Sequence, residues 1–187
     1  MRFPAIKLFV LLIALVLVSS ACSVTRSTRG GLRPGIEIGK ETCILVMPVP
    51  DPYEKHKDPA HGSGQAVAAA IRDSLVTHGF KPSMGKSTEL KDALGEAAKV
   101  PCAYTLRAIV TEWEDNATPW SGKPDSYELS TELYTASTGD LAGSSTHRVV
   151  GPEWAGFERH PDRFISEAVD HSLSKIFRWQ PTVFEEQ

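Results

Sequence analysis

The sequence has no apolar run long enough to cross a bilayer, no block of basic residues, no closely spaced cysteine pair and no internal repeat. Each absence excludes something. The longest apolar run, Leu8–Val18, holds eleven residues, where a spanning helix needs roughly 20 to cross about 30 Å of hydrocarbon. Once the first 21 residues are set aside, 18 basic residues face 23 acidic ones. Such a chain has no electrostatic footprint for nucleic acid or for anionic lipid. Three cysteines, Cys22, Cys43 and Cys102, stand too far apart for a CxxC redox pair or a zinc site. With 41% hydrophobic and 23% charged residues, the composition is neither disordered, nor collagen-like, nor that of a multi-pass membrane protein. The 166 residues after position 21 are enough for one domain with its own core.

What is there begins with an address. Arg2 and Lys7 lead into Leu8–Val18, and the run ends in Val18-Ser19-Ser20-Ala21-Cys22. A basic start, a short apolar stretch and small residues make a secretory signal. Small residues directly before a cysteine resemble the lipobox of bacterial lipoproteins, with Ser19 where leucine is commonest. The resemblance implies cleavage before Cys22, and an N-acyl chain and S-diacylglycerol (palmitate-type lipid) on that cysteine. Several chains at about 0.8 kcal/mol per buried methylene make such an anchor effectively permanent. Ser23 in place of an aspartate implies, by the same resemblance, sorting to the outer membrane, facing the periplasm or the cell surface. The alternative is an ordinary secretory signal with Cys22 as a bystander thiol. The expected layout is a signal peptide over 1–21, lipidated Cys22 with a flexible Gly-rich tether over 22–40, a domain over 41–180, and a tail over 181–187.

Two cysteines are then left in an oxidising compartment. Cys43 opens the run Cys43-Ile44-Leu45-Val46-Met47, and Cys102 opens Cys102-Ala103-Tyr104-Thr105-Leu106. If the two strands are parallel neighbours, both sulfurs lie at one end of the sheet. That placement favours a disulfide; two reduced, buried thiols are the alternative.

Periodicity sets the rest. Strands are expected over 43–50 and, as a short edge, 80–83. Helices are expected over 65–78, with Val67, Ile71 and Leu75 on one face, and over 88–99. Alternation marks strands over 103–115, 125–136 and 141–150, the last two joined at Ser137-Thr138-Gly139-Asp140. A final helix opens at His160-Pro161 and carries Phe164, Ile165, Ala168, Val169, Leu173, Ile176 and Phe177 as its apolar stripe. The expected fold is a single α/β domain of order β-α-β-α-β-β-β-α, a mixed sheet backed by helices. This order resembles the small periplasmic domains of bacterial lipoproteins of the LpoB, PelC and CsgG types, and the TolB N-terminal domain. The resemblance implies an accessory or assembly role, although fold says little about activity.

The segment Trp113-Glu114-Asp115 through Ala117-Thr118-Pro119-Trp120-Ser121-Gly122-Lys123-Pro124-Asp125 resembles the signature of a family of uncharacterised Gram-negative lipoproteins with a domain of unknown function. That resemblance implies architecture and location and brings no catalytic residue. The segment is also the most unusual part of the chain by composition. Trp113 and Trp120 beside Glu114, Asp115 and Asp125, with Lys123 in the turn, suit a protein interface, where tryptophan is enriched. Rings beside carboxylates also suit a glycan or peptidoglycan site. Plain packing, with Trp113 in the core, is the third reading. Glu114 and Asp115 are adjacent, so on a strand they face opposite sides and cannot act as an acid–base pair.

Other candidates carry less. Gly85-Lys86-Ser87 has the look of a phosphate-loop end, but Phe80 stands where the leading glycine is required. His56 and His61 share a loop with several acids without a rigid element to make them ligands. Trp154 and Phe157 sit in a Gly/Pro-flanked loop and are candidates for resting at a membrane interface. The sequence therefore points to an outer-membrane lipoprotein with no cofactor, no metal and no catalytic residue. Its expected partners are an envelope protein or further copies of itself, with glycan as the alternative.

Overall fold

A computed structural model describes residues 24–53, 59–116, 123–151 and 160–184. Ten elements follow one another in these segments. Strand β1 spans Thr25–Leu32 and β2 spans Cys43–Val46. Helix α1 (Ser63–Thr77), β3 (Lys81–Met84) and α2 (Leu90–Lys99) come next. Then β4 (Tyr104–Glu114), β5 (Ser126–Thr135) and β6 (Leu141–Val150) form a meander. A 3-10 turn, Pro161–Phe164, leads into α3, Ile165–Phe177. The six strands make one mixed sheet in the order β1-β6-β5-β4-β2-β3. β2 runs parallel to both β3 and β4, and all other pairs are antiparallel. The α/β class and the single mixed sheet agree with the sequence reading, and each expected element is found within a few residues.

The two faces of the sheet are built differently. On one face α1 and α3 cover a continuous core through Val67, Ile71, Leu75, Ala168, Leu173 and Ile176, packed on Ile44, Leu106, Leu129 and Leu133. On the other, α2 covers β2 and the adjoining part of β4, with Ala93 and Ala97 on Leu45, Met47 and Cys102. The uncovered part of that second face is polar. It carries Arg148 with Glu112, Arg107 with Glu132, and Arg29 with Glu128. Pairing these charges with one another lets that surface stay wet without a partner.

Strand β4 departs from plain alternation. Its register with β5 shifts between Val110 and Glu112, and Thr111 is exposed there. The extra residue turns the end of the strand over, as a bulge does. Val110 and Trp113 therefore both face the larger core, although strict alternation puts them on opposite sides.

The N-terminal part of the expected tether is instead a strand. β1 pairs along its full length with β6, from Thr25 opposite Val150 to Leu32 opposite Gly143. Val24, Leu32, Ile36 and Ile38 pack against the core. The segment reads as a polar, Gly-rich leash because its partners are far away in sequence. Arg26 pairs with Glu167, and Thr28 Oγ1 is 2.7 Å from His147 Nδ1. Gly30 serves a close approach rather than flexibility: at φ 103°, a Cβ there would stand 2.2 Å from the Ser144 carbonyl oxygen. Cys22 lies outside the described residues.

Candidate functional site

The carboxyl end of β4, the start of α1 and the 3-10 turn before α3 converge on a cleft of about 730 Å³. In open α/β sheets, ligands tend to bind outside the carboxyl ends of strands. Trp113 lies beside the cleft floor, 8% exposed, and its ring meets Tyr127 edge-on at 5.7 Å. The walls carry His61, Asp115, His160 and Asp162, with Ile165 on the apolar side. His160 Nδ1 stands 2.9 Å from Asp115 Oδ2, a pairing between residues 45 positions apart.

The chain fills its own anion positions here. The N–H groups of Gly62 and Gly64 donate to Asp51 at 3.0 and 2.8 Å. These are donors that a helix start leaves unsatisfied, and together they hold the Asp51 carboxyl below its ordinary range. Gly64 must be glycine, because a Cβ would lie 2.2 Å from the Val49 carbonyl oxygen. A second nest is closed in the same way: the N–H groups of Lys86 and Ser87 donate to Glu96. The Gly85-Lys86-Ser87 segment thus holds a carboxylate of its own chain.

The residues expected to act together are placed as follows. Asp115 belongs to the cleft with Trp113, while Glu114 ends β4 opposite Ser126. Asp125 closes the base of the loop: its carboxylate accepts from Asn116 N–H at 2.9 Å and its carbonyl from Gly151 N–H at 2.8 Å. Burial raises the Asp125 carboxyl above its usual range, against the opposing Asn116 hydrogen bond. Lys123 is exposed, two residues before Asp125. Trp120, Trp154, Phe157 and His56 lie outside the described residues. Cys43 and Cys102 are bonded at the opposite end of the sheet, with Cα atoms 4.5 Å apart.

Ser63 Oγ on the cleft wall donates to the Ala60 carbonyl at 2.6 Å. Glu112 is engaged by Arg148 through two bonds of 2.7 Å, and this pairing holds its carboxyl low. Among the described residues no group of three or more His, Cys, Asp or Glu is placed to hold a metal ion, and no helix is long and apolar enough to cross a membrane.

Sequence reasoning missed two constellations. His160 is visible in sequence as a helix opener, with nothing local to tie it to Asp115. The other is a buried polar seam under α3, where His147 is fully buried with Nε2 3.7 Å from Glu167 Oε1. Burial raises the Glu167 carboxyl, but the neighbouring His147 and Arg26 bring the net shift below the ordinary range. Beside them, Thr131 Oγ1 and Ser172 Oγ lie 2.7 Å apart inside the core.

No family model matches the chain, and no curated protein matches it. Solved structures do. The PelC dodecamer from Paraburkholderia phytofirmans superposes with a TM-score of 0.61 at 16% identity, covering 81% of this chain and 96% of that one. A point variant of the same dodecamer gives 0.62 at 15% identity, over 81% and 98%. The likeness shows a shared fold. The C-terminal domain of Salmonella enterica LpoB matches more loosely, with a TM-score of 0.40 at 14% identity over 60% of this chain and 84% of that one. That match is too loose to carry an argument. The PelC-type expectation holds for the fold; the likeness of the Trp113–Asp125 signature to a lipoprotein family gains no support from the family models.

Proposed function

We propose that this protein is an outer-membrane lipoprotein, anchored through Cys22, whose periplasmic α/β domain works without catalysis as an accessory or assembly component of the cell envelope. It binds an envelope protein or further copies of itself through the cleft end of the sheet. One observation carries the reading: a chain whose Val18–Cys22 segment resembles a lipobox has the fold of a protein solved as a dodecamer, over 81% of its length. The site chemistry supports it, since the cleft's strongest donors and acceptors are satisfied within the chain. With Trp113 buried against Tyr127, a glycan-stacking site loses one of its two rings.

The test is a photo-crosslinking residue placed at Lys123 in living cells, with Lys91 on exposed α2 as control. Adducts specific to position 123 are expected, and their masses separate self-assembly from a second protein. Equal or absent adducts in folded, lipidated protein overturn the reading. The anchor is checked separately, by loss of labelled palmitate in Cys22→Ser.

A further inference from the structure

We infer that the outer edge of β1 is a docking strand for an acidic, extended segment of a partner protein, which adds to the sheet beside it. A sheet edge offers a row of unpaired N–H and C=O groups, and proteins keep such edges short, blunted or covered. The two edges of this sheet differ in that respect. β3 is four residues long and contains Pro82, which has no N–H to donate. β1 runs for eight residues in unbroken register with β6 and holds no proline.

Two contacts set the phase of β1. Arg33 N–H donates to the Ala142 carbonyl at 2.9 Å, and Ser145 Oγ donates to the Arg29 carbonyl at 3.2 Å. Arg29 and Arg33 therefore turn their backbone groups toward β6. Alternation turns those of Thr28 and Leu32 outward, and among the described residues neither has a backbone partner on that side. The edge is also held in place. Arg26 pairs with Glu167, and Thr28 Oγ1 lies 2.7 Å from His147 Nδ1, so a docking segment finds its template already ordered.

Charge selects the occupant. Residues 24–36 hold three arginines, Arg26, Arg29 and Arg33, and no acid, on a domain that is otherwise acidic. The Arg29 side chain is 79% exposed, with Glu128 no nearer than 3.8 Å, and Arg33 is exposed. A second copy is a poor fit. Every two-fold antiparallel pairing of β1 with itself, centred on any residue from Ser27 to Gly30, sets Arg26 or Arg29 opposite or diagonal to its own copy. Like charges so placed are destabilising. A strand with acids at i and i+4 instead puts both on one face, opposite Arg29 and Arg33. Main-chain bonds then supply affinity and the acids supply specificity, as in other strand additions. This half of β1 lies toward the β5–β6 turn, since Leu32 is opposite Gly143, so the surface is separate from the cleft and its failure leaves the cleft reading untouched.

The experiment titrates the full acylated chain, in nonionic detergent micelles, with an end-capped peptide of about nine residues that alternates Thr and Val and carries Glu at i and i+4. Amide hydrogen exchange is read by residue. Binding should slow exchange at Thr28 and Leu32 by about tenfold or more, while the inward amides of Arg29 and Arg33 change little. A peptide with Lys in place of Glu should bind at least about tenfold more weakly, and Arg29→Glu with Arg33→Glu should reverse that preference. Unchanged exchange in β4 and β5 shows that this variant is folded. No binding of the Glu peptide at about 1 mM overturns the inference. So does binding that leaves Thr28 and Leu32 unprotected, or equal binding of the Lys peptide. If Thr28 and Leu32 are already protected in the free chain and it sediments as a dimer, the edge belongs to a second copy and the inference is likewise overturned.

Discussion

The two ends of the sheet are finished in opposite ways. At one end, Cys43 and Cys102 tie β2 to the approach of β4, and α2 packs over them. The β5–β6 turn is tight there, and beyond α3 the rings of His78, Trp179 and Phe177 stack face to face. At the other end the helices start rather than stop, the cleft opens between them, and carboxylates meet backbone N–H groups and a histidine instead of apolar rings. The difference separates two tasks. A covalent and aromatic closure carries stability at one end, which allows the other to present polar groups that a core would not tolerate.

Breaking the closed end should have the largest effect. The disulfide joins residues 59 positions apart, and loop entropy alone gives about 4 kcal/mol for a link of that length. Cys43→Ser with Cys102→Ser should lower urea stability by that order. Hydrogen exchange should then rise first in β2, β3 and α2, with the cleft end following later.

At the open end, Trp113 is the exception that belongs to the core. Trp113→Ala removes a ring 8% exposed and should cost about 3 kcal/mol in thermal or urea unfolding. A change below ~1 kcal/mol would mean that the ring is surface and available to a ligand.

The seam between β1 and α3 comes third. Glu167→Gln removes the carboxylate facing Arg26 and His147, and should cost about 2 kcal/mol, discounted from the fully buried case because Arg26 is partly exposed. Its pH signature has a definite sign. Glu167 is held below its ordinary range in the fold, so its contribution is complete above pH 4.5 and is lost as pH falls through the folded value. His171 is lowered too, first by burial and then by His147. A depressed histidine favours the fold above its unfolded value of about 6.5 and disfavours it on acidification below that. Both groups therefore weaken the seam as pH falls, in two stages, and exchange in Thr25–Leu32 is the measurement that shows it.

These cases also show which features can be read from a sequence. The stripe Phe164, Ile165, Ala168, Val169, Leu173 and Ile176 is buried as its periodicity requires, and β6 occupies Leu141–Val150 as its alternation indicates. Both are local patterns. β1 is not: its reason for being a strand lies at His147 and Glu167, more than a hundred residues away, and its glycine serves a contact with Ser144. The bulge at Val110/Glu112 is equally silent, because one extra residue leaves composition unchanged while reversing which side Trp113 faces. The cleft assembles from Asp115 and His160, which no spacing rule connects. Local elements were legible and long-range polar pairs were not, since a pairing of charges has no period.

The smallest effect is expected where polar groups are partnered yet wet. Glu112 makes two short bonds to Arg148 and accepts a third from Ser126, which by count makes it the best-satisfied carboxylate on the open face. Its side chain is nevertheless 27% exposed and that of Arg148 is 42% exposed. Water competes for both, so Glu112→Gln should cost less than about 1 kcal/mol despite the good geometry. Acid should remove the same small contribution, present above pH 4.5 and lost as pH falls through the lowered folded value. Raising the salt concentration should shrink the difference between the parent and Glu112→Gln, whereas the cost of Trp113→Ala should survive it. That contrast separates a surface held by charge from a floor held by packing.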